Sequence, residues 1–487
     1  IHFNVEVAIV EYLCNVQCAS DIRELELDFS TDGCTLDRSG TIQIWPIQCR
    51  ISNLQNSKPV VGIYKGAQKL TNANAFFEKF IIDITAIICN GGINFHGALI
   101  PVRLRAFVAD APARAFLLHH RAHTSYHSCS KCKVHGMQID GRCVFNGIKH
   151  PLRTDENYRL CHDVNHHKEG TSPLAVLSMR MVSQVPFEYM HLVCLGVVKK
   201  LLSAWVHGKY SRILKLCGRS ISRISDRLKI LIQYCPTEFA RCSRSLDIFS
   251  KFKATEFRQF LLYTGPVVMY GILDDHLYKH FLLLHTAIRI LLLKSPSEKQ
   301  LRFAELALEK FVLRNNTLYG SNFISYNVHG LLHLTNDVKR LGNLESFSAF
   351  PYENNISIFR KYCRKPGQPL QQLFNRMTEL RLHGRGDNRD IAISRYRDMS
   401  VRVSIPCSNS DTSVHYSKIT FNSICLGTHV RDNCCILRDG SICIVVDIIA
   451  DTGSYSLIVK RFLEVDNFFN VGLPSSAFHV YLCSNIS

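Results

Sequence analysis

The stretch ELELDFSTDG, Glu24–Gly33, decides the fold. Apolar and polar residues alternate along it, the period of a half-buried strand, and Asp32-Gly33 supplies the turn that ends it. Two more strand patterns follow closely: TIQIWPIQCRI, Thr41–Ile51, and KPVVGIYKGA, Lys58–Ala67. NANAFFEKFIIDITAIICNGG, Asn72–Gly92, then has helical spacing, with Asn72 or Asn74 as N-cap and Gly91 as the stop. VRLRAFVADAPARAF, Val102–Phe116, reads as a fourth strand that stops at Asp110. Short turns make the first three strands an antiparallel meander, and the helix carries the chain across to the fourth. The expected class is α/β with a mixed sheet.

This core occupies residues 22–118, and residues 1–21 read as the end of an upstream segment. Residues 119–173 are rich in His, Cys and charge and poor in aliphatic periodicity, so a core of their own is not expected. Residues 174–345 are read as a core strand followed by a large all-helical insertion, and 346–384 as a further core helix. The Arg- and Ser-rich stretch 385–418 reads as a linker, and 419–487, with GSICIVVDII and YSLIVKRF, as a small β-rich module.

Composition narrows the partners. The 487 residues are 46% hydrophobic and 20% charged, which fits an ordered globular chain. With 58 Lys+Arg against 40 Asp+Glu the formal charge is +18, favouring a polyanion such as nucleic acid. The 20 cysteines are scattered through apolar runs such as HLVCLGV, the pattern of buried thiols rather than of a small disulfide scaffold. The most apolar stretches, FLLYTGPVVMYGIL and FLLLHTAIRILLL, are short or broken by Pro, His or Arg, so buried helices are expected and no membrane partner.

Two acids, Asp32 and Asp110, close the first and fourth strands; in a sheet where these strands are neighbours, both project from one edge. Carboxylates held that close need a cation between them. Two Mg²⁺ ions about 3.5–4 Å apart are what in-line phosphoryl chemistry uses. A third carboxylate comes from AFPYENNISIFRK, Ala349–Lys361. Tyr352, Ile356, Phe359 and Cys363 form an apolar stripe on that helix, and Glu353, Ser357, Arg360 and Arg364 an adjoining polar face. Each acid alone has an ordinary reading: a turn residue, a strand terminator before Pro, a charge complementing a helix N-terminus.

The order of elements resembles the RNase H-like core of cut-and-paste transposases. The blocks LDFSTDG, WPIQCRI, VADAPARAF, CSKC, HHKEGTSPL, EYMHLVCLGVVKKLL, KATEFRQFLLYTGPVV, SYNVHGLLHL and FSAFPYENN run from about residue 25 to 376. They are similar to the block pattern of animal transposase domain-containing proteins of the CACTA (En/Spm)-type DDE transposase-like family. The resemblance implies an RNase H-like mixed sheet core interrupted by a helical insertion. It implies a catalytic triad of Asp32, Asp110 and Glu353, with Asp28 a weaker candidate for the first position because it lies mid-strand and lacks the following Gly. These acids would bind two Mg²⁺ or Mn²⁺ ions, cut DNA by hydrolysis and let the freed 3′-hydroxyl attack target DNA. A nuclear transposable-element protein with transposon ends and target DNA as partners follows, compatible with a homo-oligomer. The family also carries a C/D-x-x-H pattern after the second acid, which here reads EYMH, with Glu188 in place of Asp and His191 retained as supporting residues. A longer carboxylate there leaves a second reading open: a degenerate or domesticated descendant that binds DNA or chromatin without cutting. A metallophosphatase or other nuclease would need His- and Asp-rich motifs that the chain lacks.

Cys129 and Cys132 form a C-x2-C knuckle, half of a structural zinc site. His166 and His167 in NHHKEG, a block shared with the family, are the candidates for the other half, with Cys143, Cys161 and His162 as further candidates. In NVHGLLHLTNDV, His329, His333 and Asp337 share a helical face; metal binding is one reading and a polar seam beside the core the preferred one. Arg103, Arg105, Arg114, Arg360, Lys361, Arg364 and Lys365 flank the acids and are the expected phosphate contacts.

Overall fold

The computed structural model describes residues 1–14, 22–36, 43–54, 60–66, 71–363, 367–382, 400–401, 414–421, 424–451 and 454–487. The chain is mixed α/β, divided between two units. The first comprises Ile1–Ala204, Gly208–Leu214 and Ala287–His383; the second comprises Trp205–His207, Lys215–Thr286 and Gly384–Ser487.

In the first unit, β1 (Leu25–Thr31), β2 (Gln43–Ile51), β3 (Val60–Gly66) and β4 (Val102–Val108) form the main sheet. Their order is β3–β2–β1–β4, with Cys34–Thr35 adding a short pairing to β2. The β1–β2 and β2–β3 pairs are antiparallel and β1–β4 is parallel. The mixed sheet expected from the sequence is therefore present. A parallel partner needs a crossover, and the helix Ala73–Cys89 supplies it, capped by the Asn72 side chain on the Ala75 amide. Its Phe77, Phe80, Ile84 and Ile87 pack with Leu25, Leu27 and Phe29 of β1 in one core cluster. Phe29 meets Phe80 edge-on at 4.8 Å between ring centres.

The alternation in β1 does not mean an exposed face. Asp28 and Ser30 are buried with the apolar residues, because β1 is a central strand. Asp28 is neutralised from the neighbouring strand: Arg105 Nε and Nη2 donate to its two carboxylate oxygens at 2.9 and 2.6 Å. Arg105 also donates to the carbonyls of Leu341 and Ser346, so one guanidinium ties β4 and β1 to the segment leading into the acidic helix.

Two of the expected segments are built differently. The described part of the N-terminal stretch does not stand apart: the helix Val5–Leu13 buries Val5, Ile9 and Leu13 in the core cluster, because its apolar face needs a partner, while residues 15–21 lie outside the described residues. Segment 119–173 is buried against the rest of the first unit: Tyr158 joins the main core cluster, Phe145 packs on Tyr326 and His329, and Cys129 and Cys132 lie beside His333 and His329. The core strand expected at the start of 174–345 is not formed among the described residues. An irregular segment takes that place, where the Gln184 carbonyl accepts the Phe107 amide of β4 at 2.8 Å. The chain then continues into the helix Met190–His207, long and apolar enough by itself to cross a membrane, yet mostly buried in the protein.

The second unit joins helices such as Gly218–Leu231 to an antiparallel sheet built from Val414–Phe421, Ile442–Asp451, Ser454–Asn467 and Tyr481–Ile486. Strand Val414–Phe421 begins inside the stretch read as a linker, whose positions 385–399 and 402–413 lie outside the described residues. The β segment is not freestanding. The Asp432 carboxylate accepts from the Thr237 amide and hydroxyl, and Glu238 accepts from the Cys425 amide.

Candidate functional site

The sheet delivers Asp32 one residue beyond β1, and Gly33 makes that position a tight one. A Cβ on Gly33 would stand 2.6 Å from the Trp45 ring, so the chain can pass there only without a side chain. Asp110 lies two residues beyond β4 and caps the helix Ala111–Leu117, accepting the Ala113 amide at 2.7 Å. With Val5–Leu13, Ala73–Cys89 and Ala111–Leu117 as helices α1, α2 and α3 and Phe350–Tyr362 as α4, Glu353 sits in the first turn of α4. Two contacts from β2 hold that helix: Asn355 Nδ2 donates to Gln48 Oε1 at 2.9 Å, and Gln48 Nε2 donates to the Tyr352 carbonyl at 3.4 Å. Tyr352, Ile356 and Phe359 are buried, as the stripe predicts, leaving Glu353 half-exposed.

One ligand atom from each of Asp32, Glu353 and His191 lies within 4.8 Å of the others. Asp110 stands outside that group but close enough to act on it electrostatically. Burial, the Asp110 charge and Glu353 together push Asp32 up to about 8. His191 moves the other way from what burial alone would do. Burial disfavours its charge, yet Glu188, with help from Asp110 and Asp32, lifts it to about 10. Glu188 is itself held below its ordinary value in spite of burial, by His191 and by two backbone amides. Its Oε1 accepts His191 Nδ1 at 2.6 Å and its Oε2 accepts the Met190 amide at 2.7 Å. This leaves Nε2 as the His191 nitrogen with something to offer the acids.

The Cys knuckle finds a different partner from the one expected. Cys129 Sγ lies 3.6 Å from His333 Nε2, and Cys132 Sγ lies 3.2 Å from His329 Nε2. The two sulfurs are 3.6 Å apart and the two Nε2 atoms 3.3 Å apart. All four residues are buried. This Cys2His2 group has the composition to bind a metal such as zinc. His166 and His167 are not part of it. His166 spends Nδ1 on the His127 carbonyl and Nε2 on the Tyr158 hydroxyl, and His167 packs edge-on against the Tyr158 ring. Cys143 bonds the Ser125 carbonyl instead. Asp337 is not a ligand either: it accepts Lys131 Nζ at 2.8 Å and the Phe187 amide at 2.9 Å. The sequence displayed both halves of the group, and only their pairing across 197 to 204 residues was hidden.

The basic residues divide. Arg360 and Lys361 are exposed on α4, Arg360 with Nε on the Thr35 carbonyl. Arg114 is buried, stacked 4.3 Å over the Phe187 ring and donating to the Ala109 carbonyl, so it is a packing residue and not a phosphate contact. Arg105 is consumed by Asp28, and Arg103 pairs with Glu24 and Glu26. Arg364 and Lys365 lie outside the described residues.

Among known families, a domain of unknown function, DUF8592, matches residues 401–487, the C-terminal β segment and a few residues before it. No curated protein matches the chain.

Proposed function

We propose that the chain is a transposase-like protein of the CACTA (En/Spm) type, with Asp32, Asp110 and Glu353 as the acids of metal-dependent DNA strand cleavage and strand transfer. The observation that carries this reading is the meeting of Asp32 and Glu353, from opposite ends of the first unit's sequence, within 4.8 Å of each other and of His191. The strand order β3–β2–β1–β4, with the acids just past the ends of β1 and β4, supports an RNase H-like core.

The donor set fits a hard divalent cation. Carboxylate oxygens suit Mg²⁺ or Mn²⁺, and an Asp lifted to about 8 by burial, and then by the neighbouring Asp110 and Glu353, marks a place where a bound cation would be favoured. Such ions would be held by Asp32, Glu353 and Asp110, and would supply an activated nucleophile and charge stabilisation at phosphorus. The chain's own residues prepare the site. Gln48 and Asn355 fix α4, Glu188 orients the His191 ring, and Arg360 and Lys361 lie along α4 as phosphate contacts. Nuclear DNA, as transposon ends and target, is the partner this reading assigns.

A second reading has one observation in its favour. His191, lifted to about 10, already furnishes a positive charge among the acids. A domesticated descendant that binds DNA without cutting would keep that arrangement and dispense with the ions. Nicking of DNA by the full chain with Mg²⁺ or Mn²⁺ separates the two. Metal-dependent nicking lost in Asp32→Asn supports the nuclease; a folded chain that binds DNA and neither nicks it nor binds Mn²⁺ rejects it.

A further inference from the structure

We propose that Cys129, Cys132, His329 and His333 hold one structural zinc ion, which fastens the loop after the helix Ala111–Leu117 to the helical stretch 326–341. The argument is geometric and does not depend on the nuclease reading. A tetrahedral zinc with sulfur at about 2.3 Å and imidazole nitrogen at about 2.0 Å has edges of roughly 3.8 Å for S–S, 3.5 Å for S–N and 3.3 Å for N–N. The four distances found are 3.6 Å for S–S, 3.6 and 3.2 Å for the S–N pairs, and 3.3 Å for N–N. Each lies within a few tenths of an ångström of its edge.

The surroundings fit a closed site. All four side chains are buried, with His333 the most exposed at 6%. The ring of Phe145 stands against His329 and that of Phe187 against His333, and Tyr326 packs on both of those phenylalanines. Soft thiolate and imidazole donors select zinc over Mg²⁺ or Ca²⁺. Four protein ligands leave no position for water or substrate, the mark of a structural rather than a catalytic ion. The Lys131 amide points at Cys129 Sγ at 3.5 Å, as second-layer donors to zinc thiolates do.

The site also has something to hold. Lys131, between the two cysteines, bonds Asp337, one helical turn beyond His333. Asp337 in turn accepts the amide of Phe187, the residue before Glu188. The ion would therefore brace the backbone that presents Glu188 and His191 to the acids.

The test is metal content of the full chain, purified under reducing conditions without added metal. One zinc per folded chain is expected, with Cys129 and Cys132 unreactive to thiol reagents until a chelator is added. The cobalt-substituted protein should show tetrahedral d–d bands and thiolate-to-metal charge transfer. His333→Asn should lower zinc occupancy at least about tenfold, while His167→Asn keeps it. His329→Cys, which preserves a ligand, should retain zinc and intensify the charge-transfer band, a readout that survives if the Asn variant misfolds. A folded wild-type chain that takes up no zinc, a Cys129–Cys132 disulfide in the reduced preparation, or zinc lost in His167→Asn but kept in His333→Asn would overturn the proposal.

Discussion

Among its described residues the first unit brings together two groups of candidate ligands, and they differ in almost every physical respect. Cys129, Cys132, His329 and His333 are fully enclosed and close to tetrahedral. Asp32, Glu353 and His191 are half-buried, hard-ligand dominated and incomplete, with Asp110 standing off. A closed set of soft ligands stabilises a fold, whereas an open set of hard ligands keeps positions for water and substrate. On the proposed reading, the same unit thus keeps a ligand set that would brace the fold apart from one that would serve chemistry.

The largest effect should come from breaking the closed group. Stripping zinc with a strong chelator should abolish the cooperative thermal transition of the first unit, followed by circular dichroism, because binding energy at such a site is folding energy. Chelating Mg²⁺ alone should leave that transition in place. Next comes the open group: Asp32→Asn or Glu353→Gln should cut metal-dependent nicking by more than about 100-fold while the chain still unfolds cooperatively. Nicking within a few-fold of wild type in either variant would remove that carboxylate from the site.

A smaller effect sharpens the role of Glu188. Glu188→Gln should drop His191 from about 10 toward its ordinary 6.5 in an NMR titration. Mn²⁺ affinity should fall about 10–100-fold, the usual cost of losing an outer carboxylate. Asn355→Ala should cost about 1–3 kcal/mol in denaturant unfolding, because Gln48 is left buried without its partner.

The smallest effect is a pH dependence of the metal-free protein. Asp32 is raised from 3.8 to about 8 and His191 from 6.5 to about 10 on folding. Groups raised in this way contribute stability that is full below their unfolded values and lost as pH rises through the folded ones. The melting temperature in a chelator selective for Mg²⁺ should therefore decline from pH 6 toward pH 10, and Asp32→Asn should flatten the part below about 8. A profile that rises over this range would contradict both shifts.

How much of this was legible depended on distance along the chain. The strand, crossover helix and strand of residues 25–108 follow local periodicity and caps, and they form as read. The stripe Tyr352, Ile356, Phe359 was equally local. What failed was pairing. His329 and His333 were visible at i and i+4, and the cysteines at their own spacing, but no local signal joins elements some 200 residues apart. His166 and His167 were chosen because they lie in a block shared with the resembled family, and a shared block does not say which side chains meet in space. Arg114 and Arg105 failed for a related reason: composition reports charge, whereas only tertiary contacts reveal that Phe187 and Asp28 have claimed it. Asp28 shows the converse. Its mid-strand position already argued against a catalytic role, and the buried pair with Arg105 gives it a structural one.

The separation of the two halves of the Cys2His2 group has a consequence during synthesis. Cys132 precedes His329 by 197 residues. At ribosomal rates of roughly 5–20 residues per second, its thiol emerges about 10–40 seconds before the imidazole that completes its coordination. Through that interval the knuckle can hold at most half of a metal's ligands, and any other thiol or histidine that has already emerged competes for it. The order in which the chain appears therefore becomes part of how the correct ligands are chosen.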